Sequence, residues 1–538
     1  MTIMKRMLLL LFFLASAAFV SGQELDFSLL KTLAVQKDGR KKPLDTVANE
    51  TIQRITGKVF VKDPDTGRKL EAIELLLSMW MQTRDWLKAP VIYVGHQPLK
   101  VQLGLPVEQK YFSYEQLRAP ALDAILQRVA KKSDGQQKPQ LTRDEREASA
   151  VAERMRFLGD VLGLESLAIV PHSSDEKGQW EPVPKSGPIK ERVDALRAAF
   201  VQRDPAALLT ASRELEAALR VLGPKVYPGR EKLAREVHYN SFHPFRKAEY
   251  LYGLAFVLLL ATWPMRSRAG YWVAVAVFAA GVAVHGYGFY LRILISGRPP
   301  ITNMYESVIW VSFGAALFAI VLEAIYRPRV YLAAVAPIAT VMLVLADMFP
   351  AVMDPNIGPL VPVLRDNFWL TVHVPAVTLG YSAFAVAMAL GHVALAYYVF
   401  KPEAHETIHR LEHFIYRAMQ VGVLLLAAGT ILGGIWAHYA WGRFWGWDPK
   451  ETWALISLLS YVIPLHGRLV GWLHGFGLSV ASVICFLTVL MAWYGVNFIL
   501  GKGLHAYGFG TGGTPYVAVF IALELGIAGA AMCRKRKL

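Results

Sequence analysis

The sequence predicts an all-α polytopic membrane protein with about nine C-terminal transmembrane helices, preceded by a mainly helical extracytoplasmic soluble domain. The first observation is composition, because 54% of the 538 residues are hydrophobic and 14 are tryptophan. The second is a series of apolar runs after Lys247, each long enough to cross a bilayer core of about 30 Å, for which a helix needs roughly 20 residues. The third is that clusters of Lys and Arg separate several of these runs, as is typical of cytoplasmic loops.

Residues 1–22 have the pattern of an export signal. Lys5 and Arg6 precede an apolar stretch over residues 7–20, and the small residues Ser21 and Gly22 follow. This order of basic, apolar and small residues predicts a cleaved signal peptide. An uncleaved N-terminal anchor is the alternative, because the pattern around the cleavage site is imperfect.

A soluble domain is predicted over residues 23–247, where the composition becomes polar and charged. Apolar residues recur with helical spacing over 72–87, 145–162 and 188–222, which predicts helices there. An alternating stretch over 91–101 predicts one or two strands, and residues 131–140 predict a flexible loop. The domain is therefore expected to be mainly helical with minor sheet.

Nine membrane helices are predicted within residues 248–538. They cover residues 248–264, 271–293, 306–326, 330–349, 370–399, 416–438, 451–468, 474–498 and 515–532. Basic residues collect in alternate connections between these spans and in the C-terminal tail, and such connections are typically cytoplasmic. With an odd number of spans, the soluble domain and the loop 441–453 then lie on the outer (periplasmic) side of the inner (cytoplasmic) membrane. This agrees with the export signal.

Charge and cysteine content exclude other classes of protein. The 57 Lys and Arg exceed the 42 Asp and Glu, but they sit in short clusters between apolar runs, so no nucleic-acid partner is expected. The two cysteines, Cys485 and Cys533, form no CxxC motif and no disulfide framework. The chain also has no phosphate-binding loop and no hydrolase or metalloprotease motif.

The connection between the sixth and seventh predicted spans is the most unusual segment of the chain. It holds five aromatic residues in thirteen positions, namely Trp441, Phe444, Trp445, Trp447 and Trp453. One interpretation is an interfacial belt, because Trp and Tyr gather at the headgroup level of membrane proteins. The other is that the first four form an apolar shelf for a large planar ligand such as a porphyrin.

Polar residues in this segment suit a ligand and a helix start. Arg443 and Lys450 are candidates to meet the carboxylates of such a ligand. Asp448 and Pro449 predict the N-cap and the first residue of the next helix. This part of the segment is therefore structural whatever the ligand is.

Two histidines are predicted at the same outer level as this loop. His373 begins the fifth span, and His505 lies in the loop after the eighth. Haem iron accepts one axial histidine from each face of the ring, so the pair is a candidate haem site. Two unrelated interfacial histidines are the alternative interpretation.

Histidines inside the predicted spans and in the cytoplasmic loop form a second candidate set. By helix rise, His285 is roughly 20 Å from the inner end of its span while His466 is closer to the cytoplasmic side, so their pairing needs tilt or a shifted boundary. His285 and His466 are predicted inside spans, where ionisable residues are costly and usually functional, so they are candidates for an inner haem site. His392 is a competing partner or a packed residue of the fifth span. Three more repeat every four residues, which predicts a polar helix face or a weak metal site. They are His405, His409 and His413.

Four stretches resemble the haem-handling family that includes CcsA (also called ResC) and CcmF. The loop 441–453 resembles the family's WWD signature, and the stretches 297–307, 371–375 and 495–507 resemble CcsA in particular. They occur in the family's order and cover roughly residues 280–510. The resemblance implies that His373 and His505 are external haem ligands and that His466 is a transmembrane haem ligand. His285 is assigned to the inner site by inference.

The resemblance also implies a system II type component of a cytochrome c synthase (haem lyase). Such a protein exports haem b and presents it at the outer face, where haem is attached through thioether bonds to the CxxCH motif of apocytochrome c. The implied partners are apocytochrome c, a separate CcsB-like (ResB-like) membrane protein and, indirectly, thiol-reducing proteins. A separate partner is expected because the N-terminal region, with the stretch 39–47, does not resemble a full CcsB module.

Two other functions stay open from the residues alone. A b-type haem subunit that exchanges electrons with quinone would place its histidines deep in facing helices, whereas the best pair here is predicted at the outer rim. A transporter of an unrelated small molecule would show internal repeats around a midplane site, and no convincing repeat is present.

Overall fold

The structure is a computed structural model. It describes residues 25–58, 60–63, 67–134, 141–265, 267–326, 329–349, 352–360, 364–501, 503–504 and 513–535. The predicted signal or anchor segment, residues 1–22, and His505 both lie outside these residues. The chain divides into two compact units, Met1–Asn240 and Ser241–Leu538. This break falls a few residues before Lys247, near His243, which has a φ of +48° and precedes the proline that begins the next helix.

The first unit is mainly helical with minor sheet, as predicted. Its helices are α1 (Ser28–Lys31), α2 (Leu44–Thr56), α3 (Ala72–Trp80), α4 (Gln97–Gln102), α5 (Tyr114–Leu117), α6 (Pro120–Ser133), α7 (Arg143–Gly159), α8 (Pro188–Gln202), α9 (Pro205–Leu222) and α10 (Arg230–Phe242), with a 3₁₀ turn at Leu164–Ser166. Three antiparallel pairs join β1 (Ala34–Lys37) to β2 (Arg40–Pro43), β3 (Phe60–Lys62) to β4 (Lys69–Glu71), and β5 (Ile92–Tyr93) to β6 (Tyr111–Phe112).

Three local predictions for this unit need correction. The helix predicted over 72–87 ends at Trp80, because the chain turns at Gln82, which has a φ of +49°. The stretch 91–101 gives only the short strand β5, since α4 begins at Gln97 with a proline in its first turn. Helix α6 extends to Ser133, into the predicted loop 131–140, and residues 135–140 lie outside the described part.

The β1–β2 hairpin carries a buried ion pair. Its two-residue turn is formed by Asp38 and Gly39, both at positive φ, as the tight turn of a two-residue hairpin requires. Arg40 follows the turn and makes two hydrogen bonds of 2.7 Å with the carboxylate of Glu236 in α10. Glu236 is 3% exposed and also accepts a hydrogen bond from the Thr46 hydroxyl. The hairpin is therefore joined to α10 by a charge pair that is largely out of water.

The second unit is a bundle of long helices. They are α11 (Pro244–Met265), α12 (Arg268–Ser296), α13 (Met304–Tyr326), α14 (Tyr331–Met348), α15 (Asn367–Phe400), α16 (His405–Trp441), α17 (Pro449–Leu469), α18 (Gly475–Ile484), α19 (Phe486–Leu490), the π-helix Met491–Leu500 and α20 (Thr514–Lys535). Each of the nine predicted spans falls on helix, the eighth being shared by α18, α19 and the π-helix. This confirms the predicted all-α class of the fold.

The helices of this unit differ in whether their length and composition suit a membrane crossing. In the described part of the chain, seven helical segments are long and apolar enough to cross a membrane: α12 to α16, the segment Gly475–Leu500, and α20. Helices α11 and α17 are not among the seven. The predicted count of nine is therefore not confirmed and stays a prediction.

Two features of this unit depart from the predicted spans. The segment 401–417 is helical from His405 onwards, because α16 extends a predicted span of 23 residues to 37. Met491–Leu500 forms a π-helix rather than an α-helix. Segments with i→i+5 hydrogen bonds are rare in proteins. Those that occur lie frequently at functional sites.

Arg40→Ala is expected to destabilise the first unit by roughly 3–5 kcal/mol, because the buried carboxylate of Glu236 loses its charged partner. Arg156→Ala is the matched control, since Arg156 pairs with Asp160 at 3.5 Å where both side chains are more than half exposed. Such a surface pair contributes about 0–1 kcal/mol. Protease cleavage within residues 25–240 of the full chain, followed against temperature, measures both variants. Equal shifts for the two variants would contradict the role of Arg40.

Candidate functional site

One cavity of about 540 Å³ lies within the second unit. This volume is in the range that small-molecule and cofactor sites occupy. Its lining comes from all four stretches that resemble CcsA, which contribute residues from 301–307, 373–374, 441–451 and 497–498. These stretches are up to about two hundred residues apart in the chain. The fold therefore brings residues of all four stretches to the wall of the same cavity.

His373 lies in α15 and faces this cavity. Its Nδ1 is 2.8 Å from the carbonyl oxygen of Gly429 in α16. A carbonyl oxygen only accepts hydrogen bonds, so Nδ1 carries the proton and donates. The lone pair of the neutral ring is then on Nε2, the nitrogen with which a histidine in this tautomer binds a metal. The ring of Trp436 packs edge-on against the imidazole at 5.7 Å.

Two adjacent glycines in α16 make room for the cavity wall. A Cβ atom on Gly433 would lie 2.5 Å from Cε1 of His373, and one on Gly434 would lie 2.6 Å from Cζ of Phe444. Both distances are shorter than real Cβ contacts. Only glycine therefore allows these two rings to approach the backbone of α16 at this level.

The aromatic loop is divided between the cavity and its surroundings. Trp441, Phe444 and Trp445 line the cavity. Trp447 does not, and its side chain is 69% exposed and packs edge-on against Trp445 at 5.8 Å. The structure thus brings together three of the four rings predicted as a shelf, and turns the fourth outward at a φ of +55°.

Asp448 and Glu451 organise the end of this loop. They form a capping box at the start of α17, in which Asp448 Oδ1 accepts from the amide of Lys450 at 2.9 Å and Glu451 Oε2 accepts from the amide of Asp448 at 3.1 Å. Asp448 Oδ2 also accepts from the amide of Leu504 at 2.6 Å. The prediction of an N-cap at Asp448 is confirmed. The same carboxylate holds the chain immediately before His505 against the loop.

The two cations of the loop have different surroundings. Arg443 lies 3.4 Å from Glu451, stacks over the ring of Trp441 and is not part of the cavity lining. Lys450 lines the cavity, and its ammonium donates to Asn497 Oδ1 at 3.3 Å. Arg443 and Lys450 were both predicted to contact the carboxylates of a ligand. Of these two cations, Lys450 alone lines the cavity.

A second buried ion pair positions the wall formed by residues 301–307. Arg292 and Glu306, both almost fully buried, are 2.5 Å apart. Glu306 Oε2 also accepts from the amide and the hydroxyl of Thr302. Because Thr302 lines the cavity, this pair fixes the connection between α12 and α13 at the cavity edge.

Several lining residues were not singled out from the sequence. They are Tyr381, Trp436, Trp493, Asn497 and Phe498, together with residues of 301–307. The Trp493 indole donates to the Ser307 hydroxyl at 2.9 Å and joins the π-helix to α13. The signal was present in part, because the stretches 297–307 and 495–507 contain some of these residues.

The inner histidines do not meet in this structure. His285 is fully buried, its Nδ1 lies 3.3 Å from the Tyr252 hydroxyl, and aromatic rings including Phe289 at 5.3 Å surround it. His466 is exposed near the end of α17, with Nδ1 2.9 Å from the Val462 carbonyl. It is sixteen residues from Lys450, or about 24 Å along a helix. Neither histidine lines the cavity.

Two of the remaining candidate histidines have carboxylate partners. His392 Nε2 is 2.7 Å from Glu524 of α20. His409 faces Glu412 at 3.6 Å, within the first turns of α16. In the described part of the chain, no group of three or more His, Cys, Asp or Glu side chains could hold a metal ion. The helical face predicted for 405–413 is present, whereas the weak metal site has no support.

Comparisons with known proteins agree with one another. A family model described as cytochrome C assembly protein matches residues 301–505. The protein NrfI of Wolinella succinogenes is 30% identical over 517 residues, which are 91% of this chain and 55% of NrfI. The cytochrome c biogenesis protein CcsA of Guillardia theta is 34% identical over 244 residues, 40% of this chain and 79% of that protein. CcsA of Synechococcus sp. (strain CC9902) is 31% identical over 301 residues, 49% of this chain and 98% of that protein.

The chain spans only about half the length of NrfI. Among solved structures, the cytochrome c haem lyase CcmF is similar with a TM-score of 0.41 and 16% identity, over 56% of this chain and 51% of that chain. A score of that size does not establish a common fold.

Asp448→Ala is expected to release residues 503–504 from the loop and to weaken the start of α17, since it removes the acceptors for the Leu504 and Lys450 amides. The loss of an N-cap alone costs about 0.5–2 kcal/mol. Hydrogen exchange at the Leu504 amide measures the effect and should become faster. Asp448→Asn, which keeps one side-chain oxygen, should give an intermediate rate. Unchanged exchange in both variants would show that Leu504 is held by other groups.

Proposed function

This chain belongs to the CcsA family of cytochrome c biogenesis proteins, and on that premise we propose that it exports haem and presents it at the outer membrane face for attachment to apocytochrome c. The predicted membership of this family is confirmed. What the family name leaves open is the direction in which haem moves, the residues that hold it and the partners that receive it. These are proposals for this chain.

The observation that carries the proposal is the position of His373 in the cavity. The hydrogen bond from Nδ1 to Gly429 fixes the ring and its tautomer, so that Nε2 is the nitrogen that would bind the iron. Trp441, Phe444 and Trp445 line the same cavity and offer flat apolar surface to a porphyrin. A metal-binding nitrogen beside aromatic rings fits haem b, handled here as substrate.

His505 is proposed as the second axial ligand. Its own position lies outside the described residues, but the amide of Leu504 is bonded to Asp448 in the aromatic loop. The chain therefore passes the loop one residue before His505. Two axial histidines would occupy both faces of the iron and leave the edge of the ring accessible.

The proposed reaction takes place at that edge. Each thiol of the CxxCH motif of apocytochrome c adds its S–H across one vinyl C=C of haem. One C–S bond and one C–H bond form, and nothing leaves. The thiols must be reduced beforehand, which links the reaction indirectly to thiol-reducing proteins. This chain would contribute binding and orientation of haem rather than a nucleophile.

The proposed setting is a system II type synthase in the inner membrane. A CcsB-like (ResB-like) membrane protein is the proposed partner, and the first unit and the loop 441–453 are proposed to lie on the periplasmic side. His466 and His285 are kept as candidate ligands of an inner haem site. Because His285 is enclosed by rings in this structure, binding there requires those rings to move.

His373→Ala and His505→Ala are each expected to remove bound haem from the purified protein and to stop maturation of a reporter apocytochrome with a CxxCH motif. The reason is the loss of one axial ligand from the proposed site. Absorption spectra of the oxidised and reduced protein, together with reporter haem staining, measure both effects. His409→Ala is the matched control, because this histidine is largely exposed and far along α16 from the cavity.

Two results would contradict the proposal. If the wild type carries no haem, or if both variants keep a wild-type spectrum and mature the reporter, the cavity is not the haem site. A permanent haem that exchanges electrons with quinone but leaves reporter maturation unaffected would instead favour a b-type electron-transfer subunit.

A further inference from the structure

The charges around the cavity are unevenly balanced. Three charged side chains of the described residues line it, namely Asp354, Lys450 and Glu451. Glu451 is occupied by the amides of Gly446 and Asp448 and by Arg443. Asp354 is exposed to solvent, where its charge is well hydrated. Both carboxylates are therefore stabilised, Glu451 by its hydrogen bonds and ion pair and Asp354 by water. The ammonium of Lys450 is the remaining charge of the three.

The positive charge of Lys450 is poorly compensated by its neighbours. Among the described residues its Nζ makes one hydrogen bond, to the neutral amide of Asn497, and no carboxylate lies within ion-pair distance. Asp448 acts on this charge only from farther away, and its two oxygens are engaged by backbone amides. An ammonium has three donors, so two remain for a ligand in the cavity. A partly buried cation in this position favours an anionic group beside it.

We propose that Lys450 is the subsite for the carboxylates of the porphyrin, and that Asn497 orients its ammonium. This rests on the proposed function, since it names which part of haem meets which part of the cavity. Arg443 is not assigned this role, because it pairs with Glu451 outside the cavity lining.

The subsite has a consequence for the orientation of the substrate. In protoporphyrin the two propionates lie on one edge of the ring, and the two vinyl groups lie toward the opposite edge. Holding a propionate at the start of α17 therefore directs the vinyl groups away from Lys450. His373 fixes the distance of the ring centre from α15, and Lys450 fixes the rotation of the ring about the iron.

The test uses the purified full chain in detergent and two metal-free probes, protoporphyrin IX and its dimethyl ester. Binding is followed by quenching of tryptophan fluorescence. The wild type is expected to bind the diacid at least about tenfold more tightly than the ester, the size of one charge-assisted hydrogen bond. Lys450→Met should lose this preference by weakening the diacid alone, and Lys450→Arg should restore it. Lys401→Met, at the opposite end of α15 from His373, is the matched control and should keep it.

The outcomes separate the subsite from the proposed function. If Lys450→Met keeps the preference of the wild type, or if the wild type binds diacid and ester equally, the subsite is wrong while porphyrin binding stands. If neither probe binds the wild type, the subsite is wrong, whereas the haem site is judged separately by the absorption spectra of the His373 and His505 variants, because the probes lack the iron that these histidines would bind. Because esterification changes the ligand and leaves the protein untouched, the wild-type comparison holds even where a variant misfolds.

Discussion

The carboxylate of Asp448 joins three parts of the site, and the arrangement of the cavity depends on it. One oxygen begins α17 by accepting the Lys450 amide, and the other accepts the Leu504 amide from the segment after the π-helix. The side chain is 6% exposed, and a buried carboxylate is stable only where it is hydrogen-bonded. The positive end of the α17 dipole adds to this stabilisation. One residue thus sets the positions of the aromatic loop and of the chain that leads to His505.

Close packing of α15 on α16 is the second constraint on the site. The imidazole of His373 reaches the carbonyl of Gly429 only because Gly433 presents no side chain beneath it. Helices that approach through small residues are common in membranes, where lipid supplies no hydrophobic drive for association. The same contact that packs the two helices therefore also selects the tautomer of His373. Packing and ligand chemistry are not separable at this position.

The sequence predicted the class of the fold and the loop that forms one cavity wall, because both depend on local patterns. Apolar length identifies helices in lipid, and the Asp448-Pro449 pair signals a helix start. Trp436 and Trp493 were missed because an aromatic residue inside an apolar helix has the same local pattern whether it faces lipid or a cavity. The π-helix was missed because its shifted hydrogen bonds leave no signal in hydrophobic spacing. The outward turn of Trp447 depends on a single backbone angle.

The inner histidines show why burial alone does not identify a binding site. His285 is more deeply buried than His373, yet its neighbours are rings in contact with it rather than a cavity. A planar ligand of porphyrin size has no room there without displacement of Phe245, Phe289 or Phe313. The outer cavity, by contrast, is already open in this structure, with a volume of about 540 Å³. The open volume in this conformation therefore lies at the aromatic loop and not around His285. The proposed movement of haem from the inner histidines to the loop would then require a second conformation, in which the rings around His285 have moved.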